Sequence, residues 1–102
     1  MAFTPYHNIL GSNGTVQVLV EKNEGPSGLK NLTLTNVHED NDATLDLSIR
    51  NLTSGVETYF FVKSLAIPAD ATYIVDIPVF NNNVYSLVIT VGSSDTVDVI
   101  IS

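Results

Sequence analysis

The feature that most constrains this chain is a run of strict two-residue alternation that begins at Ala43. Apolar residues at every second position (Leu45, Leu47, Ile49) alternate with polar ones (Asp46, Ser48, Arg50). Such a period is typical of a strand with one dry face and one wet face. A second apolar run follows the turn residues around Gly55 and ends at Pro68. The segment Ala43–Pro68 therefore predicts two long paired strands, with the leucine face in the core.

Five further segments read as strands between turn-forming residues, at positions 15–22, 29–37, 72–79, 84–91 and 96–102. No segment shows a helical stripe. Seven strands in one short chain predict an all-β fold: a single antiparallel β-sandwich, jelly-roll or immunoglobulin-like. Consecutive strands joined by short connections are expected to pair with each other. Pro78 predicts that the fifth strand lies at a sheet edge or bulges.

The first 14 residues do not alternate, and they are expected to form an extended arm before a sandwich domain over residues 15–102. This segment carries four large apolar side chains: Phe3, Tyr6, Ile9 and Leu10. A mobile terminus is one interpretation, since chain ends are often poorly ordered. The other is an arm that packs on a neighbouring subunit.

Charge and composition restrict the class of partner. The formal net charge is −7, and the four cations are scattered along the sequence, which argues against a nucleic-acid partner. The apolar runs are too short to span a bilayer, so no membrane partner is expected. There is no cysteine and no visible secretion signal, so we expect the fold to assemble in a reducing cytoplasm.

The loop His38–Asp42 is the densest group of possible metal ligands. Oxygen-rich loops suit calcium, but this one lacks the glycine and the distant glutamate of an EF-hand. A solvated acidic loop is the favoured interpretation, and no metal or cofactor is predicted. The sequence contains no nucleophile elbow, and its acidic residues fall mostly on outward strand positions or in turns. We therefore expect a protein that is not an enzyme.

Two groups of residues are candidates for contact with a partner. Tyr59, Phe60, Phe61 and Tyr73 concentrate aromatic side chains, and alternation places Phe60 on the face opposite to Tyr59 and Phe61. Core packing and stacking on sugar rings are both open for them. The last strand, with Val97, Val99 and Ile101, is expected to lie uncovered at an edge, where it could pair with another chain.

The strand rhythm resembles that of small virion proteins of tailed bacteriophages, in particular head decoration (cement) proteins. The segments that carry the resemblance are Leu32–Asn36, Leu65–Ala69 and the terminal Val-Asp-Val-Ile beginning at Val97, within residues 29–102. The resemblance implies a β-sandwich or jelly roll, often trimeric, that binds the major capsid protein and lacks catalytic residues.

The expectation is thus a structural protein of the virion that binds and stabilises a phage head, as a homo-oligomer with a trimer favoured. The alternative is an adhesion module of a tail or fibre, which would bind glycans through an aromatic face containing Tyr59 and Tyr73. A third possibility is a calcium-dependent interaction domain that uses the loop from Glu39 to Asp42.

Overall fold

The computed structural model describes residues 5–13, 16–25, 29–53, 58–78 and 80–102. Within them the chain forms eight strands and one 3₁₀ turn at Gly11–Asn13. The strands are β1 (Tyr6–Leu10), β2 (Gln17–Val20), β3 (Asn31–Asn36), β4 (Ala43–Arg50), β5 (Thr58–Ile67), β6 (Thr72–Asp76), β7 (Ser86–Val91) and β8 (Thr96–Ile101). The described residues include no helix long and apolar enough to cross a membrane. The all-β prediction is confirmed, with one strand more than the sequence indicated.

The strands form two four-stranded antiparallel sheets. Sheet A has the order β1-β8-β3-β6, and sheet B has the order β2-β7-β4-β5. The pairs β1/β8, β2/β7, β3/β6 and β4/β5 are those of one long hairpin folded over on itself. Eight strands wrapped in this way form a jelly roll rather than an immunoglobulin-like sandwich.

The predicted hairpin between Ala43 and Pro68 is confirmed as the pair β4/β5. Among the eight described strands it is the only pair of consecutive strands that share a sheet. The expectation that consecutive strands pair in general is therefore wrong. Each of the other connections between consecutive described strands carries the chain from one sheet to the other.

The core lies between the sheets and is aliphatic. Its most buried members come from both layers and are at most 1% exposed: Leu32, Leu34, Val97 and Val99 from sheet A, and Leu45, Leu47, Leu87 and Ile89 from sheet B. Each such side chain stabilises the fold by about 1.5–3 kcal/mol relative to an exposed position. The predicted core face of β4 is confirmed at Leu45 and Leu47, while Ile49 is partly buried.

The predicted N-terminal arm needs correction where the structure describes it. Residues Tyr6–Leu10 are β1, an edge strand of sheet A that is paired with β8 along its whole length. The strand was missed because its inward positions hold His7 and Ile9, while apolar Tyr6 and Leu10 face outward. The apolar residues are therefore out of phase with the buried face.

The prediction that the last strand lies uncovered at an edge is also wrong. Strand β8 lies between β1 and β3 and is hydrogen-bonded to both. Strand β1, which comes first in the described chain, forms this edge of sheet A instead of β8. The expectation for Pro78 holds, since β6 is an edge strand and ends at Asp76, before the proline.

Asn36 connects the two layers from a fully buried position. Its Nδ2 donates to the carbonyl oxygens of Asn41 at 2.8 Å and of Ile67 at 2.9 Å. Its Oδ1 accepts from the backbone N–H of His38 at 3.0 Å. A buried amide with all these partners is stabilising, and it fixes the loop after β3 against the end of β5.

Candidate binding surfaces

The outer face of sheet A carries an apolar row that crosses all four strands. Tyr6, Ile100, Thr33 and Ile74 are direct neighbours in the register of β1, β8, β3 and β6. Tyr6 is 70% exposed, Ile74 69% and Ile100 45%. Apolar side chains this exposed and this close together are typical of a contact surface. We call this row, with Asp98 and Asp76 beside it, the sheet A face.

The rows on either side of the apolar row are polar. On one side Asn8 donates to Asp98 at 2.6 Å, and the hydroxyls of Thr35 and Thr72 lie 3.0 Å apart. On the other side lies Asp76 of β6, which is the register partner of Asn31 on β3. None of the four strands contains a lysine or an arginine. The sheet A face is therefore apolar in its centre and acidic at its margins.

A shallow depression of about 350 Å³ lies beside this row, between β1 and β8. Its lining includes Tyr6, Asn8, Asp98 and Ile100. The depression is large enough to accept an aromatic side chain, and its lining is mainly apolar.

The outer face of sheet B has the opposite character where β4 and β5 pair. Phe60 is 46% exposed, and Lys63 Nζ lies 4.4 Å from the centre of its ring. Lys63 also lies 3.7 Å from Asp46, and Arg50 follows further along β4. We call Phe60, Lys63, Arg50 and Asp46 the hairpin face.

The position of Lys63 depends on an irregularity in β5. Asp46 faces both Lys63 and Ser64, because the pairing jumps from Leu45↔Leu65 to Leu47↔Val62. Ser64 has a φ of 57°, and its N–H donates to Asp46 Oδ1 at 2.6 Å. Such a bulge twists an edge strand away from pairing with other chains.

Arg50 occupies an incompletely satisfied position on the hairpin face. It pairs in register with Thr58 and Ser86, and its Nε is buried without a hydrogen-bond acceptor. Guanidinium groups favour planar carboxylate partners. The buried Nε is out of reach of another molecule, so what Arg50 contributes to the hairpin face is its positive charge.

The structure separates the contact residues predicted from the sequence. Tyr6 lies on the sheet A face. Leu10, the last residue of β1, is half-buried at an outward position. Ile9 is buried, and so are Val97, Val99 and Ile101, which belong to the core and not to a surface. The prediction of these four residues as contact residues is wrong. For the residues of β8 it depended on an uncovered edge, and β1 covers that edge. Phe3 lies outside the described residues.

The aromatic residues do not form one platform. Tyr59 lies near the start of β5 in sheet B, whereas Tyr73 lies in β6 of sheet A, beyond the far end of β5. Roughly 25 Å of strand separates Tyr59 from the end of β5. Tyr59 instead packs edge-on against Tyr85, with ring centres 5.8 Å apart. A flat sugar-stacking surface made of Tyr59 and Tyr73 is not assembled.

The acidic loop after β3 is held by hydrogen bonds to the rest of the fold. His38 Nε2 lies 2.9 Å from the carbonyl oxygen of Ser94, and the His38 carbonyl accepts from Asp70 N–H. In the described part of the chain no group of three or more His, Cys, Asp or Glu is placed to hold a metal ion.

Sequence reasoning missed most residues of the two faces, among them Ile74, Ile100, Arg50 and Lys63. A signal for Ile100 was present, because it interrupts the alternation with an apolar residue between Val99 and Ile101. An isoleucine at an outward position of a regular strand indicates either a covering element or a contact surface.

No family model, curated protein or solved structure matches this chain. The fold and the two faces are therefore the basis on which its function has to be inferred.

Proposed function

We propose that this chain is a non-enzymatic structural protein of a phage virion, a decoration (cement) protein that binds and stabilises the capsid. The observation that supports this most strongly is the pair of exposed faces on the two sheets. One is apolar and acidic, and the other is aromatic and cationic. Faces of this kind suit contacts with proteins on more than one side.

The fold gives weaker support of another kind. Jelly rolls recur in viral capsid domains and in lectins. A fold alone does not fix a function, so this is an analogy. The proposal that the protein belongs to a virion rests on the resemblance of its strand pattern to that of small phage head proteins.

The mechanism follows from mass action. A protein that binds the assembled shell and not its detached subunits shifts the equilibrium towards the shell. A specific interface needs about 1,000 Å² or more of buried surface. One four-stranded face projects only about 350 Å², so stable attachment needs several contacts per particle site. A homo-oligomer bound to the major capsid protein meets this requirement.

The test uses particles assembled without this protein, to which purified protein is added. We expect saturable binding to the particles and a higher temperature of DNA release. The double variant Ile74→Thr/Ile100→Thr is expected to bind more weakly, while the control Val37→Thr, at an exposed loop position outside both faces, binds like the original. Absence of binding by the unmodified protein contradicts the proposal.

A further inference from the structure

We propose that the sheet A face of one copy binds the hairpin face of a second copy, so that copies associate head to tail. The inference deepens the proposed function by naming one partner of each face. It rests on that function only for the premise that these faces bind protein, and it concerns the purified chain alone.

Charge complementarity is the first reason. The strands of sheet A carry two aspartates and no lysine or arginine. The hairpin face carries two cations, Arg50 and Lys63, against one aspartate, Asp46. Opposite charges placed across an interface favour one orientation and one partner. Because one chain carries both the acidic face and the cationic face, a second copy supplies the complementary charges for each.

The second reason is that Lys63 remains accessible to a further partner. Its side chain is 64% exposed, and its carboxylate partner Asp46 lies 3.7 Å away. Asp98 accepts a hydrogen bond from the amide of Asn8, and Asp76 is exposed. A carboxylate from the sheet A face of a neighbour could therefore pair with Lys63.

The apolar groups match as well. Phe60 projects from the hairpin face, and the depression beside Ile100 on the sheet A face is large enough for its ring. Aromatic side chains that fill such depressions carry much of the binding energy in protein interfaces.

A symmetric contact between two sheet A faces is disfavoured. It would bring Asp98 and Asp76 of both copies into one interface without a cation, and like charges there are destabilising. Contact between unlike faces avoids this repulsion. An interface of unlike faces closes into a ring when the rotation between copies permits, and otherwise extends as a filament.

The area of contact favours a closed ring. The two-stranded hairpin face is narrower than the four-stranded sheet A face, so their contact buries less than roughly 700 Å² in projection, below the 1,000 Å² typical of a stable pair. Ring closure gives every copy two contacts, and the second contact forms without a further loss of translational freedom. In such a ring both faces are occupied by neighbouring copies, so the weaker particle binding expected of Ile74→Thr/Ile100→Thr would follow from loss of the oligomer.

The test is sedimentation velocity of the purified full chain over a wide range of concentration. A salt concentration of about 0.15 M shortens the range of the repulsion between copies that each carry a net charge of −7. Two variants each remove one face: Ile74→Thr/Ile100→Thr for sheet A and Phe60→Thr/Lys63→Gln for the hairpin. The exposed loop variant Val37→Thr is the matched control.

We expect the original chain and Val37→Thr to self-associate, and each double variant to associate at least about tenfold more weakly. An equimolar mixture of the two double variants should associate more strongly than either variant alone, because each supplies the face that the other lacks. It should associate more weakly than the original chain, because one contact per pair cannot close a ring. Melting curves check that the variants fold, and Tyr6→Ser replaces a sheet A variant that does not.

Three results would overturn the proposal: a monomeric original chain at every concentration, double variants that associate normally, or a mixture that associates no more than either double variant alone at the same total concentration. Failure of self-association while the protein still binds particles overturns this inference and leaves the proposed function intact. The reverse outcome, association without particle binding, contradicts the proposed function alone.

Discussion

Tyr6 and Ile100 lie directly opposite each other on β1 and β8, and both project from the outer face of sheet A. They belong to the first and last strands of the described chain. Their pairing starts the apolar row that continues to Ile74 on β6. The sheet A face is therefore built from segments that are distant in sequence.

The neighbouring isoleucines of β8 should differ sharply in their effect on stability. Ile101 is 5% exposed and Ile100 is 45% exposed. Ile101→Ala is expected to lower the free energy of unfolding by about 2–5 kcal/mol, since it opens a cavity in the core. Ile100→Ala is expected to change it by less than about 1 kcal/mol. Denaturant unfolding of both variants measures the difference, and equal losses would contradict the assignment of faces.

Removing the buried amide of Asn36 should be costly. Asn36→Ala leaves the carbonyls of Asn41 and Ile67 and the N–H of His38 without this partner. Each unsatisfied buried group costs about 1–3 kcal/mol, so a total loss of several kcal/mol is expected. Asn31→Ala, at a half-buried position of the same strand, is the control and should cost less. Thermal melting that ranks the two variants in the opposite order would refute this role of Asn36.

A methyl group at Gly11 should not fit. A Cβ at this position would overlap the carbonyl oxygen of Gly92, which is backbone and cannot rotate away. The Gly11 N–H also donates to the Asp95 carbonyl at 3.0 Å, which holds the two segments together. Gly11→Ala is expected to destabilise by about 1–3 kcal/mol or more. The exposed neighbour Ser12→Ala is the control, and equal melting temperatures for both variants would show that the close approach is absent.

The bulge in β5 should depend on an oxygen acceptor at position 46. Asp46→Ala removes the acceptor for Ser64 N–H, and a loss of about 1–2 kcal/mol is expected. Asp46→Asn keeps a carbonyl oxygen there and should retain most of this stability. Urea unfolding compares the two substitutions. If Asn is as destabilising as Ala, the charge of Asp46 matters and the hydrogen bond does not.

The sequence was sufficient to predict the fold class and the hairpin β4/β5. Leu45 and Leu47 lie in a long strand with one buried face, and its partner strand follows after a short turn, so a local pattern determines both. The order of the other strands depends on pairings such as β1/β8, which join residues about 90 positions apart. Local alternation contains no information about such pairings.

The binding faces were predictable only in part. Tyr6 is one of four large apolar residues in the non-alternating N-terminal segment, so the sequence marks it as a candidate for a partner contact. The sequence does not mark Ile74 or Ile100, because their exposure depends on the order of the strands and on which face of each strand points outward. Lys63 lies on the hairpin face because of a bulge at Ser64, and no glycine, proline or asparagine at that position of the sequence predicts the bulge.

The central claim, that this chain is a structural component of a virion, is tested most directly by counting its copies in purified particles. The proposal requires that a phage encode the chain, and quantitative mass spectrometry of that phage's purified particles would give the ratio of the chain to the major capsid protein. A decoration protein is expected in a fixed stoichiometric ratio to that protein in every preparation. Absence of the chain, or traces that vary between preparations and wash away with salt, would contradict the claim.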